Sequence, residues 1–244
     1  MSFITFPGVY LDAYNIAVGY QINKPLGSIT AFGNLTIGNG SHFFSSYSSI
    51  AIGNNVNVVA SSNAGVSIGN NSNGRGNHVA VGYNAYSWQN SVAIGLQSNA
   101  GFGTVSIGYL SGSRNSPPTA TNSVFLGYES GGSTDNTTLN TFLGYRSGFS
   151  VTSGNRNTII GGFTGNQGGL DIRTSSNNFV ISDGDGNLKM WGDSVGNVFS
   201  IAQIAPPALA INGQMVFNLT SDTNLRISVR GTDGVTRVAN ITLA

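Results

Sequence analysis

The chain has 244 residues, yet only 8% of them are charged, and Gly, Asn, Ser and Thr fill nearly half of it; an ordinary soluble domain is roughly a quarter charged. With Glu129 the sole glutamate and Lys24 and Lys189 the only lysines, strong helix formers are scarce and a helical protein is excluded, while 39% hydrophobic content at a net charge of +1 excludes disorder. That charge offers no basic cluster for nucleic acid or an anionic membrane, the absence of Cys removes disulfides and thiolate chemistry, and no apolar run reaches the roughly 20 residues of a spanning helix, so neither nucleic acid nor membrane insertion is expected.

Residues 1–14 carry Phe3, Phe6, Val9, Tyr10 and Leu11, an apolar patch that needs a cover, and are expected to attach the chain to a larger particle. They have no basic start followed by an apolar stretch and do not read as a secretory signal. From about residue 15 to 170 an internal repeat follows, in which an apolar, a small and an apolar residue precede glycine. It runs through Ile16–Gly19, Leu35–Gly38, Ile50–Gly53, Val66–Gly69, Val79–Gly82, Val92–Gly95 and Val105–Gly108, then more loosely through Val124–Gly127, Thr141–Gly144 and Ile159–Gly161. The glycines lie 19, 15, 16, 13, 13, 13, 19, 17 and 17 residues apart, and a small residue (Ser72, Ala85, Ser98, Ser111, Ser130, Ser147, Thr164) stands three past most of them.

Period-2 alternation in short β-branched segments marks each unit as a strand, and the glycine permits a corner. Stacked units give a parallel β-solenoid of about ten short coils, a rod on the order of 50 Å, with the two apolar columns expected inside. Such thin coils bury little, so stacking and association with other chains are expected to supply the rest. The middle residue is small through Ser106 and becomes Phe125, Phe142 and Ile159 afterwards, predicting a change of cross-section near residues 109–122, where Pro117-Pro118 interrupts. Tyr83, Tyr109, Tyr128 and Tyr145 follow their glycines and are expected to stack as a ladder.

The segment Asn90-Ser91-Val92-Ala93-Ile94-Gly95-Leu96-Gln97-Ser98-Asn99-Ala100 resembles the head repeat of trimeric autotransporter adhesins, left-handed parallel β-rolls wound from three chains. The copies from Asn140 to Gly148 and from Thr152 to Gly161, and the segment Asn177 to Leu188, are similar to repeats of phage tail fibres. The likeness covers roughly residues 15–190 and implies a homotrimeric surface protein, all-β, that binds a host cell-surface glycan or protein. The chain shows no secretory signal, coiled-coil stalk or membrane anchor barrel, which turns the expectation toward a non-enzymatic tail fibre or tail-tip protein, assembled in the host cytoplasm and carried on the virion tail, contacting other tail proteins through its N-terminal end. The alternatives are the head of a bacterial adhesin at the cell surface and a polysaccharide-cleaving tailspike.

Beyond the repeats, residues 171–204 read as a hairpin and transition region, with Phe179-Val180-Ile181 and Leu188-Lys189-Met190-Trp191 around the turn Asp183-Gly184-Asp185-Gly186-Asn187. Residues 205–244, after Pro206-Pro207, read as a small antiparallel meander with Met215, Phe217 and Leu219 on one face, Leu225, Ile227 and Val229 likewise, and turns at 221–223 and 232–234. This section is expected to be the distal tip.

The receptor-binding candidates are of two kinds. Arg226, Arg230 and Arg237 offer a polar face suited to anionic glycan, though a solvated strand face accounts for them equally. Tyr86 and Trp88, with Tyr47 and Phe102, stand between strands, where they could stack on sugars or cover coil corners and the trimer seam. For metals, Asp183, Asp185 and Asn187 have the spacing that opens a calcium loop, but Ser194 stands where the bidentate glutamate belongs, which favours a plain turn. His42 and His78 could meet on stacked coils, and no cofactor is expected. Glu129 and Asp135 are the one carboxylate pair conceivable for glycoside hydrolysis, and no catalytic residue is assigned.

Overall fold

The computed structural model describes residues 9–11, 16–19, 33–40, 42–43, 48–59, 64–112, 118–195, 209, 212–213, 215–221 and 224–242. All regular structure among them is β. The chain divides into two units, Met1–Val198 and Phe199–Ala244. Phe3, Phe6, Tyr47, Pro117 and Pro206-Pro207 lie outside the described residues.

The first unit is a β-solenoid, mostly parallel. Its main sheet has 13 strands, of which the first (Val9–Leu11) and last (Leu188–Gly192) pair antiparallel and the rest pair parallel in chain order. From Gly65 to Ser182 the chain makes about seven turns, and the same ladder runs back through Ile50–Ile52 and Leu35–Ile37 to Ile16–Val18. Every repeat aligns with the next without slippage, so that Ala80, Ala93, Ser106, Phe125, Phe142, Ile159 and Val180 form one column.

That middle column is the interior, reversing the expected orientation. Ala51, Ser67, Ala80, Ala93 and Ser106 are fully buried, whereas the apolar residues on either side are half-buried or exposed: Ile16 is 49% accessible, Ile37 41% and Ile160 40%. The physical reason is size. A 13-residue coil has room inside for a methyl or hydroxymethyl group, and two columns of Ile and Val would force the walls apart.

Each coil turns at its glycine. Gly82 and its equivalents adopt φ near +135°, as in Gly53 (134°), Gly82 (138°) and Gly108 (137°), and a Cβ at Gly82 would collide with the carbonyl oxygen of Gly95 in the coil above. Two residues on, a left-handed residue completes the corner: Asn55, Asn71, Asn84, Gln97, Leu110, Glu129 and Arg146. Then comes the small buried residue, whose hydroxyl stitches coil to coil. Ser98, Ser111, Ser130 and Ser147 donate to the backbone carbonyls of Ser106, Phe125, Phe142 and Ile159 at 2.9, 3.0, 3.0 and 3.3 Å.

Beyond residue 112 the inward residues of the main sheet are large, and the ladder does not break there, because Ser106 pairs directly with Phe125. Phe125, Phe142 and Ile159 enter a common core with Val151, Phe163, Ile172 and Val180, against which Leu170, Leu188 and Trp191 close the end. Before the strands at Thr141, Thr158 and Phe179 the wide coils carry a buried asparagine column: Asn140 Oδ1 accepts from the amide of Asn157 (2.8 Å), and Asn157 Oδ1 from the amide of Asn178 (2.9 Å). Tyr109 and Tyr128 stack at 4.9 Å and Tyr128 and Tyr145 at 5.4 Å. The register sets Leu96 between Tyr83 and Tyr109, so Tyr83 does not join this ladder.

The second unit contains a three-stranded antiparallel sheet, Met215–Ser221, Asn224–Arg230 and Thr236–Thr242. In the register of the first pair, Leu219 stands opposite Leu225, Phe217 opposite Ile227 and Met215 opposite Val229 along the backbone. Met215, Phe217 and Ile241 are exposed.

Candidate functional site

A second sheet, which the sequence reading treated as inter-strand segments, forms the opposite wall of the narrow coils. It stacks His42–Phe43, Asn57–Val59, Asn73–Arg75, Tyr86–Ser87 and Asn99–Ala100 in parallel. The signal was present: four residues past each corner glycine comes an outward residue (Asn57, Asn73, Tyr86, Asn99) and five past it an inward one (Val58, Gly74, Ser87, Ala100), alternation two residues long. Such short runs fall below the length at which period 2 can be distinguished from a turn.

The outer surface of this sheet holds a groove of about 470 Å³, lined by Asn71, Asn73, Asn84, Tyr86, Gln97 and Asn99 among others. Asn73, Tyr86 and Asn99 occupy one register row across three neighbouring strands. None of the five carboxamides makes a side-chain hydrogen bond within the described residues. Beside the groove, Tyr86 lies 6.3 Å from Trp88, ring centre to ring centre, and the Arg75 guanidinium caps Trp88 at 4.9 Å. Burial pushes the Tyr86 hydroxyl above its ordinary value, against the pull of Arg75; as a neutral phenol it can both donate and accept. Tyr86 and Trp88 are therefore brought together, and Phe102 is exposed.

The arginines are not brought together in the way expected. Arg226 aligns with Asn218 and Asn240, and Arg230 with Thr236, but Arg237 aligns with Val229 and so lies on the opposite face. Direct cross-strand partners share a face, and the odd spacing from Arg226 through the turn decides it. Arg237 is also engaged, its guanidinium forked onto the Asp233 carboxylate at 2.6 and 3.0 Å.

The acidic turn is internally satisfied. One Asp183 oxygen accepts from the amides of Asp185 (3.1 Å) and Asn187 (2.9 Å), the other from the Asn187 side chain (3.0 Å), and Lys189 pairs with it at 3.1 Å. The Asn187 bonds, helped by Lys189, lower the Asp183 carboxyl to about 2. This is an Asx turn closing the hairpin of Phe179–Ser182 and Leu188–Gly192. No cluster of three or more His, Asp or Glu that could hold a metal occurs among the described residues.

His42 and His78 belong to different sheets and do not share a column. The buried His78 ring donates from Nδ1 to the Gly76 carbonyl (2.8 Å), so its Nε2 accepts from the Ser67 hydroxyl (2.9 Å). Burial lowers its pKa from the usual 6.5, only partly opposed by the bond to Gly76. Glu129 is a strut between coils: its carboxylate lies 3.1 Å from Nε of Arg146, whose guanidinium stacks 4.2 Å above Phe149.

Comparison of the chain with protein-family models, curated proteins and solved structures returned no match. What the fold defines is thus a class by architecture, the β-solenoid.

Proposed function

We propose that the chain is a structural and host-recognition component of a phage tail, a homotrimeric tail fibre or tail-tip protein that binds a cell-surface receptor. The observation that carries this reading is the outward apolar surface of the main sheet. Ile16, Val18, Ile37, Ile94, Ile107 and Ile160 are all more than a third exposed, on a ladder that repeats once per coil. A surface apolar along its length is a site of association, and a partner that matches it row by row must carry the same repeat, which another copy of this chain does. The exposed Met215, Phe217 and Ile241 of the second unit call for the same remedy. The resemblance of Asn90–Ala100 to adhesin heads, and of Asn140–Gly161 to tail-fibre repeats, supports three copies wound left-handed.

Light scattering of the purified chain tests the assembly: the expected mass is three times 25.2 kDa, and a stable monomer overturns it. Antibody raised against the chain should decorate virion tails, and the purified protein should compete with virions for host cells.

A further inference from the structure

We propose that the groove on the second sheet binds an uncharged polysaccharide laid along the stack of coils, with Tyr86 as the stacking platform and Asn73 and Asn99 as flanking hydrogen-bonding groups. This deepens, and rests on, the reading of the chain as a surface-binding protein.

Backbone geometry separates the asparagines that shape the solenoid from those left free. Asn71 and Asn84 stand at left-handed corners, φ 55° and 53°, a conformation Asn tolerates well. Asn140, Asn157 and Asn178 are buried and bonded into the ladder. Asn73 and Asn99 have neither reason. They sit in strands, where Asn is disfavoured, point outward, and leave their carboxamides unpartnered. Asn57, one strand further along the same row, has an Oδ1 that is shielded from solvent and lacks a hydrogen-bond partner.

A carboxamide presents two donors and an acceptor, the complement of a sugar hydroxyl, which both donates and accepts. Tyr86 between them offers an apolar ring for the C–H face of a pyranose. Successive rows lie about 4.8 Å apart, so the run from Asn73 to Asn99 spans about 10 Å, room for two sugar rings in line with the coils. Among the described residues Tyr86 is the one ionisable group lining the groove, and the nearby Arg75 is engaged by Trp88. Carboxylates and phosphates are bound by charged forks, and the described lining of carboxamides and one tyrosine suits a neutral class.

The test uses the 244-residue chain and saturation-transfer NMR with neutral oligosaccharides of glucose, galactose and N-acetylglucosamine, beside sialylated and uronate-containing ones. Neutral oligosaccharides should give the signal. Tyr86→Ala should weaken binding about tenfold and Asn99→Ala about threefold, with Tyr86→Trp restoring it and circular dichroism unchanged. Binding confined to acidic sugars, lost in Arg226→Ser with Arg230→Ser and kept in Tyr86→Ala, overturns the inference while leaving the tail-protein reading intact. Absence of binding to any sugar in the set overturns it also. Failure of antibody to label virion tails overturns the functional reading instead, whatever the groove binds.

Discussion

The narrow coils of residues 65–112 and the wide coils of residues 118–182 follow one plan with different fillings. Four residues past the corner glycine, the narrow coils place Asn73, Tyr86 and Asn99 in an outer strand, whereas the wide ones place Gly131 and Gly148. The reason is the interior. A Cβ at Gly131 would meet the ring of Phe125 and one at Gly148 the ring of Phe142, so a large inward residue on one wall demands glycine on the other. In the narrow coils the inward residue is Ala or Ser and the facing wall can be a regular strand with a free outer surface. Wide coils thus have the larger apolar core, and narrow coils the outward-facing row of side chains.

This contrast predicts unequal responses to mutation. Phe142→Ala should be the most damaging change, because a ring buried on all sides leaves a cavity; truncations of this kind cost about 3–5 kcal/mol, and calorimetry should show the wide coils melting first. An equal cost for Ala93→Gly would break the comparison.

The reverse substitution should hurt the narrow coils. Ala93→Leu puts three more carbons into a fully occupied interior and should cost about 1–3 kcal/mol. Retention of wild-type melting would mean that the narrow coils have slack. Ile94→Ser, on the outer side of the same strand, should leave the coil intact and weaken the proposed trimer, which dilution in light scattering would reveal.

The smallest expected effect is a pH dependence confined to the narrow coils. The folded-state pKa of His78 lies below the unfolded 6.5, so the unfolded chain takes up the proton first and stability, complete above pH 6.5, falls as pH drops through the folded value. Protection of amides against hydrogen exchange at residues 65–91, corrected for the intrinsic rate at each pH, should fall between pH 7 and pH 5 while that of residues 141–182 changes little. Loss of that difference in His78→Asn would tie it to the imidazole; persistence would assign it elsewhere.

Much of this was legible in the residues alone. The unit of strand, glycine and small residue announces a stacked parallel β fold because β-branched alternation and a corner glycine recur in step, and the swap from Ser106 to Phe125 announces the widening. The alternation around Phe217 and Ile227 likewise marks the C-terminal sheet. What alternation cannot express is sign. A period of two divides side chains into two faces without saying which is inside, and here the cross-section of the closed coil decides, admitting Ala93 and turning out Val92 and Ile94. Pairing across strands is equally a tertiary fact: it sets Arg237 apart from Arg226 and Arg230, inserts Leu96 into the tyrosine ladder, and brings Asn73, Tyr86 and Asn99, each 13 residues from the next, into one row. Local sequence carries the period of the strands, but only the closed, stacked coil determines which residues meet.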